Sequence, residues 1–146
     1  MSNERVTRAN RLVGLRGRAV ESAQRELSDA YRDLAAAREN VDRTERLWKE
    51  HAESFARGEY RATGDMADEH AYLLTLRFAC DQALLQLQEA RVREAEKRKA
   101  LLEAKSELRK MELWRDALLE RAAAVALRQE RIASDETAAR IVRRGR

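Results

Sequence analysis

Val6, Val13, Val20, Leu27, Leu34, Val41, Trp48 and Phe55 stand seven residues apart in unbroken succession. Seven residues fall slightly short of two turns of a free α-helix. Such a row therefore stays on one side only if the helix coils left-handedly against a partner. Three residues after most of these positions stands a small one: Ala9, Ala23, Ala30 and Ala37, followed by Thr44 and His51. Large and small residues alternate along the stripe, which lets a partner backbone come close. Arg16 is the break in the second row.

The totals agree with helices that run without interruption. The chain has 146 residues, no proline and 38% charged residues, and its mean hydropathy is -0.73. Proline would remove a backbone donor and clash with the preceding turn, so its absence leaves long helices intact. So polar a chain cannot fill a thick core around an enclosed pocket, and an enzyme is not expected. The single cysteine, Cys80, has no partner for an internal disulfide, and the N-terminal stretch lacks the apolar run of a signal peptide. No stretch approaches the ~20 apolar residues that span a bilayer, so membrane insertion is not expected and a cytoplasmic protein is.

The net charge of +4 is unevenly placed. Residues 1–25 hold six arginines against Glu4 and Glu21, and residues 138–146 hold Arg140, Arg143, Arg144 and Arg146 with no acid. The positive charge lies toward the two chain ends.

Ser2 or Asn3 suits an N-cap for the first helix. The stretch Ala-Arg-Gly-Glu-Tyr-Arg-Ala-Thr-Gly-Asp from Ala56 to Asp65 is the one credible break, with Gly58 suited to a left-handed C-cap and Asp65 to the N-cap of a new helix. The expected fold is all-α: a long antiparallel two-helix coiled-coil hairpin, helix 1 over about 4–57, a turn over about 58–65, and a longer helix 2 over about 66–142. The second helix carries one row at Leu73, Cys80, Leu87, Glu94, Leu101 and Leu108. A second row lies three residues on, at Leu76, Ala83, Ala90, Lys97, Ala104, Met111, Leu118, Val125, Ile132 and Ala139.

Folding back at the turn with paired residue numbers summing to about 121 sets Trp48 against Leu73, Val41 against Cys80 and Leu34 against Leu87. Leu27 then faces Glu94 and Val6 faces Arg115, the weak points of that register. At 1.5 Å per residue the first helix spans roughly 80 Å and the second roughly 115 Å. From about Met111 onward, little of helix 1 is left to cover Leu118, Val125 and Ile132, and apolar surface left bare in this way marks an interaction site.

The search for chemistry finds no glycine-rich phosphate loop, no paired cysteines and no nucleophile beside a base, so no cofactor is expected. His51 and His70 flank the turn, but two histidines do not make a structural zinc site, and no metal is expected. Cys80 reads as a small hydrophobe on a core row, and Trp48 as a seam residue. Trp114, partly off the seam, suits either a binding anchor or burial in an oligomer. Tyr60, Tyr72, Leu74 and Phe78 near the turn are more apolar surface than a two-helix seam can hide. Gly14 and Gly17 sit inside the repeat at a cost of about 1 kcal/mol each relative to alanine, read as loose helix rather than as the close approach of another backbone. Glu89, Glu94 and Glu96 interrupt the charged run from Arg91 to Lys99, so it reads as solvated helix surface.

Three stretches carry a likeness: Leu12-Val-Gly-Leu-Arg16 leading into alanine-rich heptads, Ala71-Tyr-Leu-Leu-Thr-Leu76 opening the second helix, and the close Ser134-Asp-Glu-Thr-Ala-Ala-Arg140. Together they resemble the FliJ/YscO family, the central stalk component of the bacterial flagellar and injectisome type III export ATPase. Gly14, Gly17 and the tail from Arg143 to Arg146 depart from the family pattern. The resemblance implies a non-enzymatic rod, similar to the shaft of a rotary ATPase. Its open end would enter a hexameric export ATPase ring, and its turn end would reach the cytoplasmic part of the membrane export gate. Handling of export chaperones is a further implied role, with residence in the cytoplasm, peripheral to the inner-membrane export apparatus.

On this reading Tyr72, Leu73 and Leu76 match the family's gate-facing segment, and Phe55 and Tyr60 join them on exposure grounds. Arg5, Arg8, Arg11, Arg140, Arg143 and Arg144 are the basic residues for the ring. Trp114, Leu118, Val125 and Ile132 form the exposed overhang. Such a stalk is expected to be a monomer when isolated and to bind no nucleic acid. The competing classes are a dimerising coiled-coil scaffold, distinguished by its mass in solution, and a basic coiled coil whose affinity for DNA falls steeply with salt.

Overall fold

The structure is a computed structural model that describes residues 2–60 and 64–145. Two α-helices make up the fold: α1, Ser2–Ala56, and the longer α2, Met66–Arg144, an all-α helical hairpin. The Ser2 side chain, expected as a cap, the middle of the turn at residues 61–63, and Arg146 lie outside what is described. By contacts the chain divides into two units, Ala23–Leu101 and Met1–Ser22 with Leu102–Arg146.

In the first unit α1 stops for an identifiable reason. Gly58 has φ +77°, the left-handed conformation that spares only glycine a steric penalty. Its N–H donates to the Phe55 carbonyl at 3.0 Å, and the N–H of Glu59 donates to the Ser54 carbonyl at 2.8 Å. That crossed pair is a Schellman C-cap, and the Phe55 and Tyr60 rings pack together at 6.0 Å beside it. On the far side of the turn Asp65 caps α2: its Oδ1 accepts from the Ala67 N–H at 3.0 Å, and its carbonyl takes the first helical bond from Glu69.

The seam of this unit buries Leu34, Val41, Ala83, Leu87 and Ala90 as one cluster with Ala37 packed on it. Contacts across the helices set the register. Glu26 bonds Lys97, His51 meets Tyr72, Trp48 meets Arg77, and Phe55 meets His70. Their residue numbers sum to 123 or 125, with His51 to Glu69 at 120 beside the turn, and the buried cluster pairs at 124, about three residues away from the about 121 expected.

The shift has a steric cause. Antiparallel seams step alternately by three and four residues, so the row of large residues on one helix meets the small row of the other. Near 124, Leu34 lies opposite Ala90, Val41 opposite Ala83 and Ala37 opposite Leu87. The earlier matching set large against large. Each buried Leu or Val contributes about 1.5–3 kcal/mol relative to exposure.

In the second unit Ala9 is fully buried, and Val6, Val13, Leu108, Met111, Arg115, Leu118 and Ala122 are half-buried. Arg115, on a core row of α2, is half-buried in the same unit as Ala9. Ala122 is the last residue of α2 with any shelter, and every described residue from 123 to 145 is exposed. The uncovered stretch therefore begins at residue 123, later than the about Met111 expected from sequence. Leu118 belongs to the covered part.

A Cβ added at Gly14 or Gly17 would meet nothing within 4 Å. No backbone comes close there; Gly14 is exposed and Gly17 half-buried.

Candidate interaction surfaces

Three surfaces stand out. The first is the turn end. Glu69 lies one heptad ahead of Leu76 on a core row and is fully buried, and its Oε1 is 3.0 Å from His51 Nδ1. The Tyr72 ring meets His51 edge-on at 5.0 Å, and His70 packs on Phe55 at 5.9 Å, so the two histidines serve different partners. The buried Ser54 hydroxyl has no hydrogen-bond partner. Of the residues expected to face outward here, Phe55, Tyr60, Tyr72 and Leu73 are half-buried and Leu76 is buried in the seam at 7% exposure.

The second surface is a row on the side of α2 turned away from the seam: Leu74, Phe78, Leu85 and Val92, between 50 and 64% exposed. Leu74 and Phe78 belong to the apolar excess noted in the sequence. Leu85 and Val92 had been missed, although Phe78, Leu85 and Val92 keep the seven-residue spacing and show it once the seam rows are set aside.

The third is the uncovered C-terminal arm. Val125 and Ile132 continue the row of Ala104, Met111 and Leu118 at the same spacing, 51% and 57% exposed. Trp114, at 39%, lies on the covered stretch before it. Arg5, Arg8, Arg11, Arg140, Arg143 and Arg144 are all exposed. Along α2, Arg140 is 18 residues beyond Ala122, about 27 Å at 1.5 Å per residue.

Among the described residues no group of three or more His, Cys, Asp or Glu is placed to hold a metal, and no helix is long and apolar enough to cross a membrane. Hydrogen bonding to Tyr31 and then the charge of Glu94 hold Arg98 above its ordinary value.

A helical hairpin whose seam follows a seven-residue repeat defines a coiled-coil protein. The sequence model of the family described as flagellar FliJ protein matches residues 7–146, and the chain belongs to that family. It is a component of the flagellar type III protein export system. No curated protein and no solved structure matches it significantly.

Proposed function

We propose that this chain is the non-enzymatic stalk of the export ATPase, with the end that carries both termini seated in the hexameric ring and the turn end directed to the cytoplasmic part of the export gate. One observation carries the reading: the apolar row continues at unbroken spacing past the end of α1, so residues 123–145 present a seam without its second helix. The ring supplies the missing surface, and the arginines at 140, 143 and 144 meet acidic side chains of its pore. ATP is hydrolysed by the partner; the stalk changes how the ring assembles and couples it to the gate. The gate contact uses Tyr60, Tyr72 and the rim of Phe55, with Leu74 and Phe78 added for their exposure, while Leu73 and Leu76 support the tip from within. Export chaperones are further partners, and the site of action is the cytoplasmic side of the inner membrane.

The test is to shorten the chain after Ala122 and measure stimulation of the co-encoded export ATPase and its retention on an affinity column. The proposal expects both to be lost while the hairpin keeps its melting temperature within a few degrees. Full stimulation by the shortened chain would overturn it. A mass in solution of one chain, in the absence of the ring, is the expected state and separates the stalk from a dimerising scaffold.

A further inference from the structure

In a two-helix coiled coil, the row of each helix furthest from the seam is left to solvent and has no packing reason to be apolar. In α1 that row is Arg25, Arg32, Glu39, Arg46 and Glu53, every one of them charged and exposed. In α2 it is Phe78, Leu85 and Val92, which are 64%, 50% and 53% exposed. The seam of α2 is marked by Cys80, Ala83, Leu87 and Ala90, all buried. At about 100° per residue, Leu85 stands about 170° round the helix from that seam. Single apolar residues on a surface are ordinary, but three in a row at seven-residue spacing repeat the pattern of a seam. All of these residues belong to the unit Ala23–Leu101.

The charges beside this row select its occupant. Glu89 and Glu96, four residues on from Leu85 and Val92, border it on one side; Arg77, Leu84 and Arg91 border it on the other. These are the flanking positions that form ion pairs between helices when a second helix lies along such a row. Leu85, Gln88, Glu89, Val92, Arg93 and Glu96 line an open groove there. A helix seated in it needs apolar residues three and four apart and Lys or Arg on the flank that meets the glutamates. A second copy of the chain fits badly. Laid antiparallel on its own row, it sets glutamates against glutamates and arginines against arginines. Laid parallel, it matches the flanks but brings Asp81, which falls between Phe78 and Leu85 in the new seam, against its own copy.

We propose that Leu85 and Val92, with Phe78 at their turn-side end and Glu89 and Glu96 beside them, are the seat of an amphipathic helix of another protein, basic along the flank that meets the glutamates. Over this stretch α2 then takes part in two seams at once, one with α1 and one with the incoming helix. Packing against α1 already holds α2 straight, so the visitor meets a preformed surface, which lowers the ordering cost of binding. The seat does not rest on the stalk reading. It uses no residue of the C-terminal arm, and Leu85 and Val92 lie outside the gate contact named above.

The experiment places the photo-crosslinking residue p-benzoylphenylalanine at Gln88, in the groove between Leu85 and Val92, in the full chain expressed in its native cells. Glu39, on the outer row of α1, is the control site. Irradiation should give a crosslinked product from Gln88 and not from Glu39. Mass spectrometry of the digested product should place the bond in a segment of another protein with apolar residues three and four apart and Lys or Arg along one flank. Leu85→Asp with Val92→Asp should cut the yield about tenfold. Glu89→Lys with Glu96→Lys should cut it about threefold, with helicity by circular dichroism unchanged. A bond to a second copy, a bond to a segment without that pattern, a yield from Gln88 no higher than from Glu39, or a yield indifferent to both double variants overturns the seat. Should the aspartates lower helicity, the glutamate reversals decide. Stimulation of the export ATPase should survive Leu85→Asp with Val92→Asp, which separates a failure of the seat from a failure of the stalk.

Discussion

The register near 124 makes Leu34 and Ala90 a size-matched pair, and exchanging their sizes tests it directly. Leu34 is 7% exposed and Ala90 2%, in one cluster with Ala83 and Leu87. Leu34→Ala removes most of a buried side chain and leaves two alanines facing each other. The expected cost is about 2–3 kcal/mol, the low end of the range for such truncations because a two-helix seam is open on its flanks and part of the void is wet. Ala90→Leu alone sets two leucines in a space that holds one, at about 1–3 kcal/mol. In the double variant the new leucine fills the space that the first change emptied, so the two costs largely cancel.

The coupling energy should reach about 2 kcal/mol, well above the ~0.5 kcal/mol scatter for independent sites. Urea melts followed by far-ultraviolet circular dichroism give the free energies. In heat each kcal/mol corresponds to about 2–4 °C for a chain of this size. If the two single changes simply add, Leu34 and Ala90 are not opposed and the register is wrong. In the alignment near 121 Leu34 would couple to Leu87.

Further outcomes follow from the same geometry. Val125→Asp with Ile132→Asp should leave the melting temperature within about 0.5 kcal/mol of equivalent stability, since neither residue is covered, yet weaken binding to the export ATPase; unchanged binding would remove the arm from the interface. Gly14→Ala and Gly17→Ala should each stabilise by about 1 kcal/mol, because a Cβ meets nothing there, and a loss on melting would reveal a constraint on the backbone. Gly58→Val should destabilise the turn by at least about 1 kcal/mol through its positive φ, seen as faster amide exchange around residues 52–60. Ser54→Ala, which removes a buried hydroxyl with no partner, should be neutral or stabilising by up to about 1 kcal/mol; a larger loss would indicate a bound water.

Much of the seam was legible because spacing alone assigns it. The rows through Val6 and Ala9 on α1, and through Leu73 and Leu76 on α2, are half-buried or buried as far as Ala122, with Arg16 the exposed exception. The pairing between rows was not legible from spacing, since matching the largest residues with one another overlooks that close-packed layers set large against small. The start of the bare arm moved with the register for the same reason. Glu69 was hidden by its type: a carboxylate at a core position looks like the end of an apolar row, and only the fold brings His51 to it. Leu85 and Val92 were masked by the charged residues around them. Reading them requires the seam to be subtracted first, because a single amphipathic stripe is the pattern ordinarily sought and α2 carries two.

Cys80 is the chain's one thiol, seated in the zipper at 3% exposure. A water-soluble alkylating reagent reaches that sulfur only in moments when the strands part around it. The pace of its labelling therefore counts local breathing events at that level of the hairpin, as amide exchange does for backbone groups. The molecule carries its own stopwatch: capture by a ring, or a pull at the turn, would register as slower or faster sulfur chemistry with no foreign probe attached.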